Sequence, residues 1–187
     1  MFHTPAVDIA GLQAEAMGLP VVEHETEGEK EKELADLEEM IRKAKEQHNI
    51  EGIITGALFS EYQKKRIESI CKRLGLKAFS PLWHRDQAEY MRELIENGFR
   101  FVMVSVAAEG LDSSWLGREI TEDDVKRLEK MNDKAGLNIA GEGGEFETLV
   151  TDSPMFRRKI NISECSIAEE KENTAVLEIK EAGLEEK

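Results

Sequence analysis

Three carboxylates and three glycines share the eight residues Gly141-Glu142-Gly143-Gly144-Glu145-Phe146-Glu147-Thr148. Glycine admits backbone angles closed to other residues, and carboxylates forced together oppose one another's ionisation. Two readings stand: a solvated acidic turn, or a site where Mg²⁺, ammonia or another cation relieves the repulsion and gives Glu142, Glu145 and Glu147 catalytic work. A second concentration is Pro81-Leu82-Trp83-His84-Arg85-Asp86, an aromatic ring, an imidazole, a guanidinium and a carboxylate at a predicted strand-to-helix junction. Open α/β sheets place their sites at such junctions. Asp86 alone reads first as a helix cap, and Trp83 reads equally as core. The preceding junction, Gly56-Ala57-Leu58-Phe59-Ser60-Glu61-Tyr62-Gln63, brings backbone N–H groups to a helix start that can receive an anion, with Arg66 one turn further on. Its structural alternative is a capped helix. Gly110 to Arg118 sets Trp115 beside Asp112 and Arg118, and a large ring in a glycine-bounded loop serves core or binding surface alike.

These residues need elements to hold them. Ile9, Leu12, Ala16 and Met17 fall at helical spacing between Ala6 and Gly18, and Val21 and Val22 are expected to start a short strand. From Glu29 to His48 the apolar stripe Leu34, Leu37, Ile41 and Ala44 predicts an amphipathic helix, with Glu38 to Arg42 and Glu39 to Lys43 as supporting pairs. Gly52 to Ala57 reads as a buried strand, Ser60 and Gln63 as a capping box opening a helix to Leu74, Lys77 to Pro81 as a strand, and Asp86 with Glu89 as the cap of a helix to Asn97. Strand, loop and helix in alternation predict a parallel sheet. A second unit follows: a strand over Phe101 to Ala108, a helix over Thr121 to Ala135, a glycine-rich loop over Asn138 to Thr148, and alternating strands around Ile160 and Leu177 joined by a polar turn at Lys171 to Asn173. The tail from Glu181 is expected to fray.

Composition removes several classes of function. The chain has 187 residues, 40% of them hydrophobic, which supports a packed core. Lys plus Arg number 25 against 39 Asp plus Glu, a net charge of −14 that repels phosphate backbones and anionic lipid. Nucleic acid and membranes are therefore not expected partners. No apolar run is long enough for a membrane span, and the first 20 residues lack a basic start followed by an apolar stretch, so a cytoplasmic protein is expected. Cys71 and Cys165 have no CxxC partner, and His3, His24, His48 and His84 lack metal-ligand spacing. No protein-held metal site is predicted.

In wording and order together, Gly56-Ala-Leu-Phe-Ser-Glu-Tyr-Gln63, Pro81-Leu-Trp-His-Arg-Asp86, Gly110-Leu-Asp112, Trp115-Leu-Gly-Arg118 and Gly141-Glu-Gly-Gly-Glu-Phe-Glu-Thr148 resemble the diphthine–ammonia ligase family of PP-loop ATP pyrophosphatases, archaeal members above all. The resemblance covers nearly the whole chain. It implies a Rossmann-like PP-loop parallel sheet of the adenine nucleotide alpha hydrolase type over residues 1–83, and a smaller α+β C-terminal substrate domain over 84–187. It also implies an activity: ATP-dependent amidation of diphthine on elongation factor 2 with ammonia, through an acyl-adenylate, giving diphthamide, AMP and pyrophosphate. Mg²⁺ would neutralise the phosphates. On this resemblance Glu142, Glu145 and Glu147 are catalytic candidates; Gly56, Ala57, Ser60, Tyr62, Gln63 and Arg66 are nucleotide candidates. Trp83, Arg85, Asp86, Asp112, Trp115, Arg118, Gly143, Gly144 and Thr148 are substrate candidates. Diphthine carries a quaternary trimethylammonium, and the three glutamates with Trp83 or Trp115 are expected to surround it.

The sequence departs from the family at one place. Family members open with a strand leading into an SGGKDS-type loop that cradles phosphates, and no such segment occurs here. Met1-Phe2-His3-Thr4-Pro5 instead resembles the family's interior. An N-terminal truncation is expected, by a late start or a gene fragment, with the sheet lacking its first strands and exposing edges and apolar faces. The alternative is a non-catalytic module that binds elongation factor 2. A PP-loop enzyme acting on tRNA is disfavoured by the acidic balance and the missing CxxC.

Overall fold

A computed structural model describes residues 6–24, 26, 33–171 and 173–187. The expectations for Met1 to Pro5, for Glu29 to Lys32 and for Glu172 lie outside these residues. The elements in chain order are α1 (Ala10–Met17), α2 (Glu33–His48), β1 (Gly52–Ile54), α3 (Glu61–Leu74), β2 (Lys77–Phe79), α4 (Gln87–Glu96), β3 (Arg100–Ala107), α5 (Glu122–Ala135), β4 (Phe146–Asp152), β5 (Lys159–Lys171) and β6 (Thr174–Glu185), with short 3₁₀ turns at Val7–Ile9 and Ser113–Trp115. Chain contacts divide them into two compact units.

The first unit, Val21–Arg85, holds α2, β1, α3 and β2. The predicted stripe of α2 buries Leu37 and Ile41 against Ile70, Cys71 and Leu76. Gly75 ends α3 in the left-handed region at φ 67°, its N–H returning to Cys71 and Lys72 carbonyls. That stop lets the chain reverse into β2, which pairs in parallel with β1 from Gly52 opposite Lys77 to Ile54 opposite Phe79. Both strands are shorter than the sequence suggests, and Val21 and Val22 are not in a strand. A strand needs a ladder partner, and among the described residues β1 and β2 pair with each other alone. Ile54 and Phe79 are 76% and 61% exposed. Glu38 does not pair with Arg42 along its own helix: Arg73 of α3 takes it at 2.6 Å, and Arg42 turns to Glu39. Tertiary pairing has overridden the i,i+4 expectation.

The second unit contains Asp86–Lys187 together with α1, and it is the larger of the two. Its antiparallel sheet has the order β4-β3-β6-β5. Met103, Val104 and Val106 of β3 are fully buried in a core with Leu111, Trp115, Ile120, and Val125 and Leu128 of α5. Burying each such side chain stabilises the fold by about 1.5–3 kcal/mol before entropy is counted. Three expectations change here. Residues 7–20 join this unit and not residues 21–83, because Ala16 packs against Phe156 and Ile160, and Gln13 Nε2 donates to the Val150 carbonyl at 2.9 Å. Phe146 to Thr148 are strand, since Phe146 opposes Val106. The tail from Glu181 does not fray: β6 continues to Glu185 opposite Lys159, and Ala182 and Leu184 pack under α1.

Candidate functional site

In the first unit the loops after β1 and β2 bring the two predicted junctions together. Thr55 N–H donates to the Phe79 carbonyl at 2.9 Å, the Thr55 and Ser80 hydroxyls lie 2.9 Å apart, and His84 N–H donates to the Leu58 carbonyl at 2.9 Å. This last bond holds His84 at φ 63°, unusual for a residue with a β-carbon. Its ring stacks between Phe59 and Trp83, with centroids 5.4 and 4.7 Å away, and Lys64 Nζ lies 5.2 Å from the Trp83 ring. His84 and Phe59 belong to the two junction motifs, yet the sequence does not show their stacking, because nothing local says that three rings will meet.

Ser60 caps α3 by accepting from Gln63 N–H at 3.4 Å, Ala57 is buried, Gly56 borders open space, and Arg66 lies over the Tyr62 ring at 3.3 Å. Ser60 already occupies the start of α3, and Gly56 is the one glycine among these residues, so they form no glycine-rich cradle for phosphates. Arg85 N–H closes a turn onto the Leu82 carbonyl at 3.0 Å, and Asp86 caps α4 by accepting from Glu89 N–H at 2.9 Å.

In the second unit the substrate candidates Asp112, Trp115 and Arg118 each have partners within the fold, Trp115 buried, Arg118 half-buried and Asp112 exposed. Trp115 is 1% exposed, with the Arg118 and Arg127 guanidiniums 4.9 and 4.2 Å from its ring, so it has no open face for a trimethylammonium. Arg118 binds both oxygens of Asp124, at 2.7 and 2.8 Å, and Asp124 is only 4% exposed. Burial works against ionisation of Asp124, but the Arg118 pair and the N–H and O–H bonds from Thr121 outweigh it and hold the carboxyl well below the ordinary carboxylate range. Asp112 caps the short 3₁₀ turn, and its bonds from the Ser114 hydroxyl and N–H keep its carboxyl acidic.

The glycine-carboxylate turn has a different construction. Glu145 folds back on its own loop: Oε1 accepts from Asn138 N–H at 3.1 Å and Oε2 from Gly143 N–H at 2.9 Å. Asn138 Oδ1 accepts from Ala140 N–H at 3.1 Å and Glu142 N–H at 3.2 Å, while Gln87 Oε1, from the first turn of α4, accepts from Ile139 N–H at 2.8 Å. Gly141 N–H donates to the Asn138 carbonyl and Gly144 N–H to the Gly141 carbonyl. Every N–H from 138 to 144 thus has an acceptor inside the unit. Gly141 sits at φ 76°, and a β-carbon there would stand 2.8 Å from the Phe146 carbonyl oxygen. The crowding read from sequence is not realised as one cluster: among the described residues no three acidic or imidazole side chains converge as a metal would require. Glu145 turns inward, and Glu147 lies in β4 opposite Ser105, with exposed Thr148 opposite Met103.

A short parallel β/α unit followed by an antiparallel unit with a clamped glycine-carboxylate turn defines a two-unit α/β protein. The diphthamide synthase N-terminal domain model matches residues 1–78 and the diphthamide synthase C-terminal domain model residues 86–184. The chain belongs to the diphthamide synthase family. It is 36% identical over 174 residues to a diphthine–ammonia ligase of Danio rerio, an alignment covering 87% of this chain and 68% of that protein. To the enzyme of that name from Mus musculus it is 37% identical over 172 residues, covering 86% and 64%, and to that of Schizosaccharomyces pombe 34% over 181 residues, covering 90% and 30%. The chain thus spans about two thirds of the length of these vertebrate relatives. Its named relatives are ligases of diphthamide biosynthesis. No helix among the described residues is long and apolar enough to cross a membrane.

Proposed function

We propose that the chain serves the amidation of diphthine on elongation factor 2 with ammonia, an ATP-dependent, AMP-forming reaction of the cytoplasm. The observation that supports this reading is the Gly-Glu-Gly-Gly-Glu turn, ordered by its own side chains, in a member of a family whose named relatives are diphthine–ammonia ligases. We assign the base of an adenine nucleotide to the first unit, with Gly56, Ala57, Ser60, Tyr62, Gln63 and Arg66 at the loop and helix start and Trp83 and Arg85 beside them. No residue is assigned to the phosphates or to Mg²⁺.

Diphthine joins a trimethylammonium to the carboxylate that must be amidated. Quaternary cations favour carboxylates and aromatic faces, and Glu142 and Glu147 are the carboxylates we assign to it, with Gly143 and Gly144 as the adjoining surface; Thr148, next to Glu147 in β4, lies on the opposite face of that strand. The net charge of −14 draws the chain towards a basic region of its protein substrate.

The test is to incubate the chain with diphthine-bearing elongation factor 2, ATP and ammonium, and to weigh the modified peptide. Diphthamide that depends on both ATP and ammonium is the expected result. The second reading is a binding module that recognises elongation factor 2 without catalysis. Binding of the factor with neither amidation nor ATP–pyrophosphate exchange would establish it in place of the first.

A further inference from the structure

We propose that Glu145, Asn138 and Gln87 are positioning residues: they set the backbone of the turn, and Glu145 does not itself meet the substrate. This inference rests on reading the turn as the diphthine site. Each oxygen of the Glu145 carboxylate accepts one backbone N–H of its own loop, which fixes the direction of the side chain and turns two of its acceptor sites to the turn. The glycine spacing has the same origin. A β-carbon at residue 143 would stand 2.5 Å from Glu145 Oε1, so Gly143 leaves the room that the Glu145 carboxylate fills. Asn138 and Gln87 complete the clamp, Gln87 from 52 residues away in sequence. Glu142 lies between the Asn138 and Glu145 clamps, its own N–H tied to Asn138, so its backbone is fixed within a turn whose amides are all committed. Such pre-organisation lowers the cost of ordering a loop when substrate arrives.

The experiment uses the full chain and two readouts: hydrogen exchange at the amides of residues 138–143, and affinity for diphthine-bearing elongation factor 2. Glu145→Gln offers one acceptor oxygen where the turn presents two N–H donors, and Asn138→Ala offers none. Both are expected to speed exchange in the turn about tenfold or more with β3 still protected, and to weaken binding by a similar factor. Asn138→Asp, which keeps acceptor oxygens, restores both properties. Glu142→Gln weakens binding without changing exchange. Weaker binding by Glu145→Gln with the turn as protected as in the parent overturns the proposal, because Glu145 then touches substrate directly. Faster exchange with unchanged affinity overturns it too, provided Glu142→Gln still weakens binding. If none of these variants alters affinity, the diphthine-site reading itself fails and the positioning role with it.

Discussion

Glu145 fills the space that a side chain on residue 143 would need, its Oε1 lying 2.5 Å from where a β-carbon would stand and its Oε2 accepting the Gly143 N–H at 2.9 Å. Gly143→Ala must therefore displace the carboxylate and release the N–H groups of residues 138 and 143. A loss of about 1–2 kcal/mol is expected, the scale of one or two such hydrogen bonds, read as a lower urea midpoint with an unchanged slope. An unchanged midpoint would mean that the clamp contributes nothing to stability.

Arg118 and Asp124 give a prediction with a pH signature. Asp124 has a folded-state pKa below its unfolded value, so its contribution is fully present above about pH 4 and is lost as the pH falls towards the folded value. Asp124→Asn should flatten this part of the stability-pH profile. Arg118→Ala leaves a buried carboxylate with only Thr121 and Arg127 and should cost about 2–3 kcal/mol, below the full cost of breaking a buried pair because Arg118 is partly exposed. A purely substrate-binding Arg118 would leave unfolding unchanged.

The two thiols should separate cleanly in a thiol-reagent titration. Cys71 is buried, and desolvation, aided by the nearby Glu68 charge, pushes its thiol up; Cys165 is exposed on β5. At pH 8 the native protein should react rapidly at Cys165 alone and the denatured chain at both. Rapid native reaction at Cys71 would mean that the α2–α3 core opens freely.

Much of this architecture is legible in the sequence because each signal is local. The stripe of α2, the Ser60 and Asp86 caps and the Gly75 stop depend on neighbours within a turn or two. The tail and α1 escape such a reading because their order comes from each other: Leu184 and Ala182 are held by a helix at the other end of the chain. At the site, the sequence displays three glutamates but cannot say which face inward. Asn138 has a local signal, a side-chain acceptor at the mouth of a glycine turn. Gln87 has none, since its partners at residues 139 and 140 are far away in sequence.

The most direct measurement is the affinity of the chain for elongation factor 2 bearing diphthine, compared with the same factor bearing unmodified histidine. Tighter binding of the diphthine form, with the preference abolished by joint Glu142→Gln and Glu147→Gln substitution, is the predicted result. Equal affinity for both forms in the parent chain would remove the turn from substrate recognition and contradict the account.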